Sequence, residues 1–180
     1  MEAGRNVDPG GTAGAEPQTR RLARLGLLIA LAGAVQAAES LVPSPVPWFR
    51  LGLGNAVVLV TLHRWGGREG LWVAAGKVLV GSLLAGRLLS PAFLLSLAGT
   101  GAALGIMAAA LRASPPLGFV GVSVLGAQGN VLAQLLLAAL LLRTPALWSL
   151  LPLLGALAVL AGTLTGLVAH RVVKALEKGA

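Results

Sequence analysis

The chain has 180 residues, of which 56% are hydrophobic, 11% charged and 4% aromatic, with no cysteine. A soluble domain carries about 25% charged residues, so this composition excludes an ordinary soluble fold. The net charge of +8 is spread between apolar runs rather than along a basic stripe with interleaved aromatics, which speaks against nucleic-acid binding. Without cysteine there are no disulfides, thiolate nucleophiles or cysteine metal sites.

Residues 1–19 are rich in Gly, Pro, Ala, Thr and charge and lack an apolar run; they predict a disordered cytoplasmic tail. The first apolar run follows Arg20, Arg21 and Arg24. It shows no small-residue cleavage site at the right distance, so it is expected to be kept as a helix. Recurrent apolar runs predict an all-α polytopic membrane protein of six transmembrane helices, a domain of residues 20–175 followed by a short cytoplasmic tail, 176–180. The spans fall at about 22–40, 51–63, 71–86, 91–111, 117–142 and 147–170. The Pro-rich segment 43–47 breaks the chain after the first. The second and third are short of the ~17–25 residues a spanning helix needs. They are expected to borrow flanking residues or to be buried within the bundle.

With the N-terminus in the cytoplasm, ten cations fall on the inner side: Arg5, Arg20, Arg21, Arg24, Arg64, Arg68, Arg112, Arg171, Lys174 and Lys178. Three, Arg50, Arg87 and Arg143, fall outside, and Lys77 lies within the membrane. Positive charge favours the inner side, so both termini are expected in the cytoplasm of a prokaryotic cell, with the chain in its plasma membrane. There is no Walker-type loop, no paired acidic motif for a magnesium diphosphate and no His-x-x-Glu-like spacing. No catalysis, cofactor or metal is expected of this chain.

Polar groups at membrane depth are costly and are read first as functional. Lys77, near the middle of the third span, needs a ligand, a pocket, or a partner such as Glu39 or helix-end carbonyls; snorkelling suits its central position poorly. Asn130 and Gln134 are four residues apart and share one helical face, continued by Ser123 and Ala127. Interhelical hydrogen bonding is the structural alternative for the two amides. Gln128 points away from them. Asn55, Arg50, Ser96 and Glu39 fall with these groups in the outer half, describing a pocket open to the outside for a polar or anionic ligand. In the first span, Gly26, Ala30, Ala34 and Ala38 form a small-residue ladder, suited either to packing within the chain or to docking a partner subunit.

Three stretches carry a resemblance: ESLVPSPVPWFRLGLGNAVVL (39–59), KVLVGSLLAGRLLSPAFLLSLAGTGAALGIM (77–107) and GFVGVSVLGAQGNVLAQLL (118–136). Together they resemble the membrane family named heptaprenyl diphosphate synthase component I, also called the Gx transporter family, over roughly 20–173. Lys77 stands where that family favours Arg, and Gly129–Asn130 where it favours His-Asn. The family is similar to the S components of energy-coupling factor transporters, six-helix proteins that bind a solute on the outer side. In those, small residues of the first helix meet a coupling transmembrane subunit driven by two ATPases. The resemblance implies a substrate-binding subunit of a small-solute uptake transporter, with Lys77, Arg50, Asn55, Ser96, Asn130 and Gln134 lining the site. The ligand would be anionic, polar or isoprenoid-like. The older family name implies instead a non-catalytic membrane subunit of a polyprenyl diphosphate synthase. A membrane scaffold for a quinone-related redox complex is a further alternative.

Overall fold

The computed structural model describes residues 17–41, 52–113 and 117–179. Among these it has six α-helices and no strand: α1 (Gln18–Glu39), α2 (Gly54–Trp65), α3 (Gly67–Leu84), α4 (Pro91–Ala110), α5 (Phe119–Leu142) and α6 (Leu151–Lys178), the last entered through a 3-10 turn, Pro145–Leu150. Local chemistry explains several boundaries. Gly66, at φ +91°, lets α2 stop and α3 restart at the next residue. Ser90 caps α4, its Oγ accepting from Phe93 N, with Pro91 at the first helical position. The expected spans and tails shift accordingly. Helix α1 starts inside the predicted N-terminal tail. Helix α6 runs on through Lys178, because no Gly or Pro interrupts it between Gly166 and Gly179.

Among the described residues, four segments are long and apolar enough to cross a membrane: α1, α4, α5 and the 3-10 turn with α6. Helix α2 has 12 residues, about 18 Å at ~1.5 Å per residue, and cannot alone cross a ~30 Å hydrocarbon core. Helix α3 carries Arg68, Glu69 and Lys77 within 18 residues.

Helices α1, α3, α4, α5 and α6 stand in that order, each touching the next, and all five touch α2 in the hollow of the arc. Burial of Gly54, Ala56 and the unbroken run Val58–Leu62 fits this central place. A helix apolar on every side belongs inside a bundle. Since lipid tails are as apolar as Leu, close packing rather than water exclusion must hold such helices together. Gly162 and Gly166 show how: a Cβ there would lie 2.7 Å from Val124 Cα and 2.6 Å from Val120 Cα, so α6 rests on the α5 backbone.

The two ends of the bundle are distinct. Arg21 pairs with Glu69 at 2.8 Å, and Arg24 lies over the Trp65 ring at 4.6 Å. Phe119 meets both His63 and His170. These contacts put the start of α1, the end of α2, the starts of α3 and α5 and the last turns of α6 at one end, called here the terminal end. The polar groups described next lie toward the far end.

Candidate functional site

Helix α2 begins deep in the bundle, and its first turn has backbone N–H groups with no helical partner. Glu39, the last residue of α1, answers this: its Oε1 accepts from Leu53 N, the residue before α2, at 2.5 Å. A carboxylate at a helix N-terminus is favoured by the bond and by the helix dipole. Asn55 N closes the same turn onto Gly52 O at 2.7 Å, with Gly52 at φ +75°.

Lys77 comes from α3 and is 3% exposed, so it does not snorkel. Its Nζ donates to Asn55 Oδ1 at 2.5 Å. The approach depends on Gly54, where a Cβ would stand 3.1 Å from both Lys77 Cδ and Ala32 O. Gln36 of α1 donates through Nε2 to Ser96 Oγ of α4 at 3.4 Å. On α5, Gln134 Nε2 donates to Asn130 Oδ1 at 3.1 Å, and both amides lie over Gly99 of α4. Gln36, Glu39, Asn55, Lys77, Ser96, Thr100, Asn130 and Gln134 line one cavity with Gly52 and Gly54. Every described residue in that lining is polar or glycine. The cavity holds about 20 Å³, close to the minimum for one water.

A second cavity of about 20 Å³ adjoins it toward α6, lined by Asn55 and Asn130 again and by Ser123, Ala127 and Thr165 among others. The Oγ1 of Thr165 is buried there without a hydrogen-bond partner. Asn55 and Asn130 are therefore shared by two cavities.

Five of the six side chains expected to bind ligand thus converge: Lys77, Asn55, Ser96, Asn130 and Gln134. Arg50, like the Pro-rich segment 43–47, lies outside the described residues. The stripe Ser123–Ala127–Asn130 lines the second cavity as one face. Gln128 does point elsewhere, donating to Gly155 O of α6 at 2.9 Å. Position 129 lines neither cavity; Gly129 is buried against Ile106 of α4. An imidazole there would meet α4, not the chamber. Gln36, Thr100 and Thr165 went unread in the sequence. Gln36 carried a signal, an amide within an apolar helix three residues before Glu39. A threonine in a membrane helix carries almost none, since its hydroxyl can return to its own backbone.

The ladder Gly26, Ala30, Ala34 and Ala38 is exposed at every step, and a Cβ at Gly26 would find no atom within 4 Å. Helix α1 meets α3 through another face, with Gly33 against Val80 and Gln36 against Gly81. Packing within the chain, one of the two readings of the ladder, is thereby corrected.

Six helices around a buried lysine and a ring of amides define a helical membrane protein with a polar chamber inside its bundle. The sequence profile of heptaprenyl diphosphate synthase component I matches residues 28–172, and the chain belongs to that family. No curated protein and no solved structure matches it.

Proposed function

We propose that the chain is the solute-binding membrane subunit of a small-solute uptake transporter, without catalytic activity of its own. The observation that carries this reading is the chamber: five helices each commit polar side chains to one buried point, around an ammonium that lipid would penalise heavily. The far end of the bundle is assigned to the outside, following the excess of cations at the terminal end, so that solute enters near the start of α2. Transport would be powered by a partner ATPase module, and the exposed ladder on α1 would meet the coupling transmembrane subunit.

The lining also narrows the ligand. Lys77 and Glu39 bring opposite charges to the lining, and the remaining groups are amides and hydroxyls. This favours a compact polar solute with hydrogen-bonding groups for the amides. The first cavity offers an isoprenoid chain no apolar wall, whereas the second adds Met107, Val131, Ala158 and Ala161, so an apolar part of the solute would lie toward α6. Small-molecule sites usually enclose ~300–1,000 Å³, so binding requires the amides to turn. Asn55 and Asn130 line both cavities, so their rotation is the movement by which the two would join.

Native mass spectrometry of the chain purified in mild detergent tests the reading. A small polar molecule is expected to be retained by the natural sequence and lost from Lys77→Met and Asn130→Ala; full retention by both variants would overturn the site.

The family match supports a second reading, a non-catalytic membrane subunit of a polyprenyl diphosphate synthase. It predicts co-purification with a soluble, aspartate-rich synthase and a change in product length when the two are combined. The small face of α1 suits that partner as well, so the bound protein separates the readings more cleanly than the docking face does.

A further inference from the structure

A cavity larger than the chamber lies elsewhere among the described residues. A groove of about 450 Å³ opens between the start of α4 and the end of α5, and shares no residue with the chamber. Its floor is apolar, formed by Ala92 and Leu95 of α4 and by Ala138, Leu141 and Leu142 of α5. Its rim carries Arg87 and Ser90. No carboxylate is among the lining residues.

The backbone of Arg87 is fixed at that rim. Its N donates to Ser82 O at 2.8 Å, and its own carbonyl accepts from Ser90 N at 3.1 Å and from Ser90 Oγ at 2.6 Å. The turn that carries it takes left-handed backbone at Gly86 (φ +63°) and at Leu89 (φ +61°). A bulky residue in that region is strained, so the loop is fixed at some cost. The N-terminus of α4 begins at the same rim and adds partial positive charge. The groove therefore has a cationic head and a hydrocarbon floor at the end of the bundle, where membrane helices meet the lipid headgroups.

We infer that this groove binds one anionic phospholipid from the surrounding bilayer, its phosphate on Arg87 and an acyl chain against Leu95, Ala138 and Leu141. The single positive charge at the rim is what selects the occupant. A zwitterionic lipid would bring its own cation to an uncompensated arginine, whereas a net-negative headgroup would not. The inference does not depend on what the chamber binds.

The test places the full chain in nanodiscs of equal parts phosphatidylglycerol and phosphatidylcholine, and counts lipids retained on release by native mass spectrometry. One phosphatidylglycerol per chain is expected, enriched roughly five-fold over phosphatidylcholine, the scale of one basic residue at a membrane surface. Arg87→Gln should remove the enrichment and leave the melting temperature unchanged. Ala138→Phe, which fills the floor, should remove the lipid altogether; should it fail to fold, Arg87→Gln decides alone. Equal retention of the two lipids by the natural chain, or undiminished enrichment in Arg87→Gln, would overturn the inference. So would a dimer without bound lipid, or an isoprenoid lipid held in its place after purification from cell membranes.

Discussion

Two glycines on α4, two residues apart, should respond to alanine with opposite sign. At Gly99 the added methyl would overlap Asn130 Oδ1 and lie 2.6 Å from Gln134 Nε2 and 2.8 Å from Gln134 Cγ. Either α4 and α5 separate, or both amides swing out of the chamber and their mutual hydrogen bond is lost. Overpacking costs ~1–3 kcal/mol and the hydrogen bond about 1 kcal/mol, against a helix-propensity gain of ~0.5–1 kcal/mol. The net is a loss near 2 kcal/mol, or a fall of about 4–8 °C at ~2–4 °C per kcal/mol for a chain of this size. Gly101 is exposed and has nothing within 4 Å of a Cβ. There Gly101→Ala keeps only the propensity gain, a rise of roughly 1–4 °C. Thermal unfolding of the two variants in one detergent, followed by circular dichroism, measures both. The reasoning fails if Gly99→Ala melts at or above the natural chain, or if the two shifts share a sign.

Three further outcomes follow from the same geometry. Glu39→Gln keeps the shape but removes the charge from the bond to Leu53 N; losing about 1–2 kcal/mol of charge-assisted bonding, it should speed amide exchange in the first turn of α2 and leave α5 unchanged. Ala34→Trp places bulk on the exposed face of α1 and should abolish co-purification of a partner subunit while the melting temperature stays within about 1 °C, as surface changes usually do. Thr165→Val removes a buried hydroxyl without a partner and should leave stability equal or raise it by up to ~1 kcal/mol; a clear loss would reveal a polar contact at that position.

Much of the architecture was legible because a bilayer leaves few options. Apolar runs, broken by proline and glycine and flanked by cations, specify helices and their order. The shortness of the second span was also visible, and its cause is physical: α2 sits in the hollow of the other five and needs no lipid-facing length, whereas α3 stands in the arc and reaches 18 residues by borrowing from Gly67 onward. What pattern alone could not give was the side each polar residue faces. Asn130 and Gln134 were readable because a four-residue spacing fixes them relative to each other. Lys77 and Asn55 come from different helices, and only packing brings them together. The ladder on α1 shows the same limit. Its spacing marks a flat strip, but whether α3 or the surroundings covers it depends on which way the helix is turned.

The chamber residues also hold the fold together, and the two roles can be separated. Lys77 and Glu39 both act at the start of α2, one on the Asn55 side chain and one on the backbone before it. A single Lys77→Met change would leave the partly buried Asn55 Oδ1 without its donor, at a cost of about 1 kcal/mol. Loss of bound solute in that variant could then reflect a displaced α2 rather than a missing contact. The double variant Lys77→Met, Asn55→Leu removes both partners and replaces them with apolar groups of similar shape, which is close to neutral for stability. It should therefore recover most of the melting temperature lost in the single variant. If the lysine serves only to anchor α2, whatever the natural chain retains should return with it. If Lys77 and Asn55 contact the solute, stability returns and binding does not. Recovery of both together would assign the pair to the fold and remove it from the site.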